Sequence, residues 1–390
     1  MNINNKLQAL AAAALALPGI ASADEGDNQY EFGYRFHSYS EDALSAEQTG
    51  NQPVDRYEVR ANQFNLSAEV GDDLSLNLAY QHENMAGASA WFTRKDQDGK
   101  VIQVMSGASI SDSRQDFKLS GAYKLEDKQI GFSIATSQED DYESLSFGAN
   151  ISYDFNNKLS TFSLAADVSN DDVTPTDSDL FNYRVVSESK RSTSILAGWS
   201  RIIDKNSIFQ LSIGYTDKNG YLSDPYKQVF VNFDLLNDTR PTSRTSKTLS
   251  ARYRLSLKST GGTLHGDYRY YSDSWDIDSH TYELSYYQPL GWDMQLIPSI
   301  RLYKQDAAFF YQHFYDQVSS DGLHSTDYRL SAYGAQTLSL TLRKKFDSMT
   351  WHIKAQQYAS GKDKAFASYT DANPALLDFT LFSAGVDFKF

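Results

Sequence analysis

Cysteine is absent from this sequence of 390 residues, which excludes disulfides, thiolate metal sites, covalent haem attachment and cysteine nucleophiles. Proline is scarce, at 8 residues, and this argues against a disordered or low-complexity chain. No segment beyond the N-terminus approaches the roughly twenty apolar residues of a transmembrane helix. Basic residues number 36 against 50 acidic ones, so nucleic acid is not expected as a partner.

The first residues have the features of a secretory signal peptide. Lys6 supplies a short positive region, an alanine- and leucine-rich stretch covers 7–17, and Ala21-Ser22-Ala23 matches an A-x-A cleavage site. The acidic pair Asp24-Glu25 follows at once. We therefore expect residues 1–23 to be removed on export and residues 24–390 to form the mature protein.

The rest of the chain is rich in aromatic residues, with 26 Tyr and 22 Phe, and its apolar residues alternate with polar ones. Runs of about ten alternating residues recur from Tyr30 to Phe390, separated by short turns and longer polar loops. Alternation of this kind places the apolar side chains on one face of a strand. The clearest example carries its apolar residues at Leu74, Leu76, Leu78 and Tyr80.

We count about sixteen such strands, an even number, with short turns and longer loops in alternation. This pattern predicts an all-β protein with a single transmembrane antiparallel β-barrel in the outer membrane of a Gram-negative cell. Short turns and both termini are expected on the periplasmic side, and long loops outside. The alternative is a soluble β-sandwich or solenoid, which would not require long and short connections to alternate.

The sequence also resembles a family known as domain of unknown function 3570, a group of bacterial outer-membrane barrels. The resemblance rests on Gly71-Asp72-Asp73-Leu74-Ser75-Leu76, Ser106-Gly107-Ala108-Ser109-Ile110-Ser111-Asp112, Asp267-Tyr268-Arg269-Tyr270-Tyr271-Ser272-Asp273-Ser274-Trp275, Ser279-His280-Thr281 and Tyr286-Tyr287-Gln288-Pro289-Leu290. It covers essentially the whole mature chain and implies an outer-membrane location and a barrel fold. It implies no established activity, although some relatives are suspected of serving exported redox systems.

If apolar positions face lipid, the intervening positions line the lumen. Most strands then contribute small polar groups, whereas the later strands form a basic wall of Arg252, Arg254, Arg269, Arg301, Arg329 and Lys354, with Asp267 and Glu283 as ion-pair partners. One interpretation is a pore whose cations bind carboxylate or phosphate groups of solutes. The other is a lattice of ion pairs that stiffens the wall.

Catalytic and metal-binding roles have little support in the sequence. The seven histidines are scattered and no common hydrolase or zinc motif is present. A hydrolase could still assemble a triad from neighbouring strands, and His265 beside Ser250 or Ser285 would be the place to look. Acidic runs such as Asp273-x-x-Asp276-x-Asp278 lack the spacing of a calcium loop. We therefore predict no enzyme, no cofactor and no specific metal site.

The sequence favours a porin-like barrel that provides a passage for small polar, and in particular anionic, solutes. The rival hypothesis is a non-conducting scaffold for an exported redox or metal-handling complex with a periplasmic or surface protein. The expected partners are outer-membrane lipid, lipopolysaccharide and the barrel assembly machinery. The C-terminal residues Phe382, Phe388 and Phe390 resemble the signal that this machinery recognises. Whether the loops 81–112, 216–245 and 302–327 plug the lumen is left open by the sequence.

Overall fold

The computed structural model describes residues 30–51, 53–106 and 110–390. The predicted signal peptide, residues 1–23, lies outside these ranges. The described residues contain one helical turn, α1 (Ala46–Thr49), and twenty strands: β1 (Tyr30–Glu41), β2 (Glu58–Val70), β3 (Leu74–Gly87), β4 (Ala90–Lys95), β5 (Val101–Met105), β6 (Ile110–Leu125), β7 (Lys128–Gln138), β8 (Tyr142–Phe155), β9 (Ser160–Val173), β10 (Glu188–Asp204), β11 (Ser207–Gly220), β12 (Gln228–Val231), β13 (Asp234–Asn237), β14 (Ser243–Leu257), β15 (Gly262–Asp273), β16 (Asp278–Leu290), β17 (Met294–Gln305), β18 (Tyr333–Lys345), β19 (Met349–Gly361) and β20 (Phe379–Lys389).

Sixteen of these strands close into one antiparallel barrel, in which each pairs with the barrel strand before it and β20 pairs with β1. They are the sixteen strands that the alternating pattern predicts, so the predicted fold class is confirmed. The other four strands form two separate hairpins, β4–β5 and β12–β13. No helix in the described ranges is long and apolar enough to span a membrane.

The barrel places its large apolar side chains on the outside. Strand β8 shows this most clearly, because Leu145, Phe147, Ile151 and Tyr153 are all exposed while the serines between them are partly covered. Phe132 on β7 is 66% exposed. A water-soluble protein rarely exposes apolar surface so continuously, whereas a lipid bilayer covers such a belt and favours a closed sheet without free edges.

Short turns join the strands at the end of the barrel where β1 begins and β20 ends. All seven turns contain two to four residues. Several use backbone conformations with positive φ, as at Gly71 with φ 66° and at Asn156 and Asn157 with φ near 55°. Glycine and asparagine tolerate this region, which explains their place in tight hairpins. We call this end the turn side and the opposite end the loop side.

The loop side is less regular than the sequence suggests. Five of its connections exceed fifteen residues, but two others, 139–141 and 274–277, are as short as those of the turn side. Length alternation therefore holds for the barrel as a whole but is not strict. The reason is that any antiparallel pair can be joined by a tight hairpin at either end.

The last residue completes the barrel. Phe390 and Tyr30 exchange two backbone hydrogen bonds of 3.1 Å, and their rings stack with centroids 6.0 Å apart. Phe388 stacks in the same way on Phe32, with centroids 6.5 Å apart. Phe382, on the same strand, is also exposed on the outer face. All three predicted C-terminal aromatics thus face outward along the seam at which the barrel closes.

Candidate functional site

The inward face of β3, β6, β7, β8, β9 and β11 is polar, with many small side chains and a few charged ones such as Lys118 and Asp167. Small polar side chains recur on this face at alternate positions: Ser75, Asn77, Gln81, Ser120, Ser133, Ser146, Asn150, Ser152, Ser163, Gln210 and Ser212. Neighbours on this face bond across the strands, as where Asn77 donates to Asn65 at 3.0 Å and to Ser67 at 2.9 Å.

The wall formed by β14 to β19 carries large charged side chains instead. In successive ladders Arg252 lies opposite Asp267, Asp267 opposite Glu283, and Glu283 opposite Arg301. Arg254, Arg269 and Lys354 occupy the same inward face at alternate positions of β14, β15 and β19. Five of the six predicted cations therefore share one wall.

Part of this wall is an ion-pair cluster. Arg254 Nη2 lies 2.8 Å from Asp267 Oδ1, and Arg252 Nε lies 3.6 Å from the same oxygen. Glu283, predicted as a second ion-pair partner, makes no ion pair within 4.0 Å among the described residues. Its ladder neighbours are Asp267, which two arginines already share, and Arg301, which is exposed.

The rest of the wall carries an excess of positive charge, because Arg301 and Lys354 share the carboxylate of Glu283 as their neighbour. Within the residues that the structure describes, Arg269, Arg301 and Lys354 make no ion pair or hydrogen bond. Arg301 is moreover exposed although it faces inward, so water reaches its guanidinium group. Polar aromatic side chains lie nearby, including Tyr303, which is two residues from Arg301 and whose hydroxyl donates to Gln305 Oε1 at 2.7 Å. We call these three side chains the unpaired cations.

The prediction for Arg329 is wrong in its position. This residue is not on a barrel strand but in a 3₁₀ turn, Tyr328–Leu330, within the loop that precedes β18. Asp327 caps the turn by accepting a hydrogen bond from the Arg329 backbone N–H at 3.1 Å. The sequence pattern fails here because a single arginine between apolar residues fits a strand and a loop turn equally well.

The loop around Arg329 is part of a cap across the loop side of the barrel. The cap comprises 42–51 with 53–57, 88–106, 221–242, 306–332 and 362–378, and it includes both extra hairpins. Lys227 from 221–242 donates to the carbonyl of Ala90 at 2.7 Å, and Thr93 donates to the carbonyl of His313 at 2.6 Å. These loops leave the wall at well separated strands, so their contacts cross the mouth.

The cap has small apolar cores of its own. Ala90, Tyr328, Ala375 and Leu377 are buried together, and Val229, Val231 and Tyr315 form a second cluster. Sequence reasoning missed this organisation. The sequence feature that could have indicated it is the short apolar run around Val229 and Val231 within an otherwise polar loop. A run of four residues is too short to separate a hairpin from an ordinary loop.

Charged side chains join the loops beneath these clusters. We call the following group the cap network: Asp224, Lys227, Asp238, Arg240, Asp327 and Arg329. Arg240 contacts Asp238 at 2.6 Å and Asp327 at 2.9 Å. Arg329 Nη2 contacts Asp224 Oδ2 at 2.7 Å and also pairs with Asp327. Three acids and three bases thus balance one another where water is excluded.

The surroundings hold the cap carboxyl groups in their charged form. Burial by itself would raise the pKa of Asp224, but the neighbouring Arg329, Lys227 and Arg240 outweigh it and the pKa is lowered. The same balance, with Arg329 as the strongest partner, keeps the pKa of Asp327 well below its ordinary value. Salt screens buried ion pairs only weakly, so we expect the ion pairs of the cap network to persist at physiological salt concentration.

Residues 7–372 match the model of a family described as a protein of unknown function, DUF3570. The chain belongs to this family. Comparison with curated proteins found no match.

Solved structures resemble this DUF3570 barrel at low identity. A bacterial polysaccharide outer membrane secretin has 10% identity and a TM-score of 0.49, over 94% of this chain and 100% of that one. The outer membrane protein opdK of Pseudomonas aeruginosa has 9% identity and a TM-score of 0.42, over 93% and 99%. A ferric enterobactin receptor mutant of the same organism has 11% identity and a TM-score of 0.44, over 91% of this chain and 59% of the receptor. These similarities say nothing about what this chain binds or transports.

In this DUF3570 barrel, the histidine singled out from the sequence has no serine partner. His265 lies opposite Ser285 in the ladder, but its ring packs on Tyr287 with centroids 4.1 Å apart. Among the described residues it forms no hydrogen bond to Ser285 or Ser250. The described contacts therefore join His265 to an aromatic ring and not to the serines named from the sequence.

Three carboxyl groups of this barrel meet at the loop-side rim. Oxygen atoms of Asp112, Glu139 and Asp141 lie within 4.8 Å of one another. Burial raises the pKa of Glu139 to about 8, although Arg114 at 3.9 Å opposes this. Hard cations such as Ca²⁺ take six to eight oxygen ligands in proteins, whereas these three carboxyl groups supply three if each offers one oxygen. Arg114 further reduces the negative charge available to a metal ion.

Proposed function

We propose that the protein lies in the outer membrane and provides a gated passage for small anionic solutes. The observation that carries the proposal is the set of unpaired cations, Arg269, Arg301 and Lys354. They face the lumen without an ion-pair partner among the described residues, and Arg301 is exposed there. Charges that only stiffened the wall would be paired, as Arg254 is with Asp267.

Simple electrostatics supports an anionic solute. A guanidinium group binds carboxylate and phosphate groups through two parallel hydrogen bonds, and rings of cations are the usual means of anion selection in pores. The wall rich in serine and asparagine would offer neutral hydrogen bonds to the same solute. A solute would thus meet charge on one side and hydroxyl groups on the other.

The cap makes the passage conditional. Its loops meet across the mouth and are joined by the buried cap network, so entry from the loop side requires that these contacts separate. We therefore expect a low resting conductance with brief openings. Outer-membrane lipid and lipopolysaccharide would surround the apolar belt, and the assembly machinery would recognise Phe382, Phe388 and Phe390. The leader 1–23 would direct export.

The proposal is tested by single-channel recording of the refolded protein in planar bilayers. The wild-type protein should prefer anions, and the double variant Arg269→Gln with Arg301→Gln should lose that preference without loss of the folded, heat-modifiable barrel. Lys304→Gln is the matched control, since Lys304 lies on the same strand as Arg301 but on its outer face. A wild-type channel that prefers cations would contradict the proposal. So would a double variant whose selectivity, like that of the control, equals that of the wild-type protein.

The cap also favours a second candidate function, a closed barrel that serves as a scaffold for a periplasmic or surface partner such as an exported redox or metal-handling complex. A sealed mouth with its own apolar cores suits a docking platform as well as a gate. The two functions differ in one measurement. A barrel that stays silent even after the cap is destabilised favours the scaffold.

A further inference from the structure

The closure of the barrel brings together a serine and a histidine from opposite ends of the chain. His37 on β1 lies opposite Ser383 on β20, and His37 Nδ1 is 2.7 Å from Ser383 Oγ. The other ring nitrogen, Nε2, is 3.1 Å from Gln63 Oε1 on β2. All three side chains are on the inward face. Their arrangement is that of a nucleophile, a base and a group that orients the base.

The hydrogen bonds of Gln81 determine which atoms donate and which accept between Gln81, Gln63 and His37. Gln81 Nε2 donates to Glu83 Oε1 at 2.5 Å and to Asp116 Oδ2 at 3.4 Å, so Gln81 Oε1 must be the acceptor for Gln63 Nε2. Gln63 Oε1 then accepts from His37, whose Nε2 therefore carries the proton. In the neutral ring, Nδ1 is left as the acceptor.

The Ser383 hydroxyl therefore donates to Nδ1 of His37, the ring nitrogen that carries no proton. Histidine in this state withdraws the serine proton as the oxygen attacks, and a group behind the ring stabilises the imidazolium that forms. Here the group behind the ring is the amide oxygen of Gln63, whose own Nε2 donates to Gln81. Gln63 and Gln81 act only through His37 and are positioning residues.

A cationic residue lies on the strand next to Ser383. Lys354 is the ladder partner of Ser383 on the neighbouring strand β19 and has no ion pair or hydrogen bond among the described residues. An ammonium group beside the nucleophile can stabilise the oxyanion of an acyl-transfer reaction. Ser383 itself is only 6% exposed, which limits the substrate to small molecules.

We propose that Ser383 is the nucleophile of a lumenal esterase site, with His37 as its base, and that the site takes small carboxylic esters that carry a negative charge. The unpaired cations of the proposed passage would orient this substrate, so the site rests on that part of the proposed function. Hydrolysis does not require that the barrel conduct ions.

The reaction balances without a further cofactor. Ser383 Oγ forms a bond to the ester carbonyl carbon while its proton passes to His37 Nδ1, and the ester C–O bond breaks as that proton moves to the departing alkoxide. Water then attacks the acyl-serine with His37 as base, which releases the carboxylic acid and restores Ser383. Water and the ester are the only reactants.

The first test is covalent labelling of the folded barrel with a small fluorophosphonate, followed by peptide mass spectrometry. The expected result is an adduct on Ser383 and none on Ser339, an inward serine whose hydroxyl pairs with Ser299 at 2.5 Å instead of with a histidine. His37→Gln should slow labelling by about 100-fold, the lower range of a general base. Labelling of Ser339 and Ser383 at equal rates would overturn the proposal.

The second test is hydrolysis of 4-nitrophenyl hydrogen succinate compared with neutral 4-nitrophenyl acetate. We expect faster turnover of the anionic ester, loss of turnover in Ser383→Ala, and no change in Ser339→Ala. Gln63→Leu should lower kcat with little change in KM, and Gln63→Asn should restore part of it. If Ser383 is unlabelled and Ser383→Ala leaves hydrolysis unchanged, the esterase is excluded while anion conduction stands. Labelling of Ser383 in a silent barrel excludes the passage instead.

Discussion

The cap network and the unpaired cations each contain three basic side chains, but the two groups differ in whether carboxylate groups contact them. In the cap, Lys227, Arg240 and Arg329 are surrounded by three aspartates at contact distance. In the wall, Arg269, Arg301 and Lys354 have no such partners in the described residues. A buried charge without a partner is very costly, whereas one in contact with water is not. The difference therefore marks where water is excluded and where it enters.

The largest effect is expected from Asp327→Ala, which removes the carboxylate shared by Arg240 and Arg329. Breaking a buried network from one side costs about 3–5 kcal/mol because charge is left uncompensated. Since each 1.4 kcal/mol is a factor of ten, the open-to-closed ratio of the cap should rise by about two to three and a half powers of ten. Single-channel conductance and proteolysis of the loops would both report this.

A matched control is Asp316→Ala, which removes the carboxylate paired with Lys95 at 2.8 Å on the cap surface. Asp316 is largely exposed, so neither conductance nor proteolysis should change measurably. Equal effects of Asp316→Ala and Asp327→Ala would mean that the cap network does not hold the mouth closed. The contrast between the two regions would then lose its functional meaning.

A smaller effect is expected from Asp267→Asn in the barrel wall. This change frees Arg252 and Arg254 from their shared carboxylate and makes that part of the wall resemble the unpaired cations. The anion-to-cation permeability ratio should increase, by about twofold for one charge in a wet lumen where the effective dielectric constant is high. Reversal potentials across a salt gradient would measure the ratio. A decrease would mean that Asp267 does not face the conducting space.

The smallest effect is expected from mild acid. Because the pKa values of Asp224 and Asp327 are lowered by their cationic neighbours, the stability they confer is present above the ordinary aspartate value of 3.8. It is lost only as pH falls through the lowered values. Cap closure, measured as resting conductance, should therefore be the same at about pH 7 and about pH 5. Opening between these values would show that another group controls the cap.

The sequence predicts the barrel wall better than the cap. Alternation at Leu74, Leu76 and Leu78 identifies a strand and its lipid face from local information alone, because a strand in a bilayer has one apolar and one polar face. The same reasoning places Arg252, Arg254, Arg269, Arg301 and Lys354 on the inner face. It misplaces Arg329, whose partners Asp224 and Asp327 come from two different loops.

The pairing state of the charges could not be predicted from sequence. Glu283 and Arg301 lie opposite each other in the ladder, yet the ion pair that such neighbours suggest is absent from the described residues. Strand register fixes which backbones meet, but long side chains choose among several partners and water. The serine–histidine pair was missed for a related reason, since His37 and Ser383 are 346 residues apart in the chain.

The sequence by itself determined the number of barrel strands, the face each presents to lipid, and the cationic character of one wall. These are consequences of side-chain periodicity and of the apolar solvent around the barrel, and both act strand by strand. Only the tertiary structure decided which cations are neutralised, how the loops meet across the mouth, and that His37 lies beside Ser383. These features depend on contacts between distant segments, which arise when the sheet closes on itself and the loops pack together.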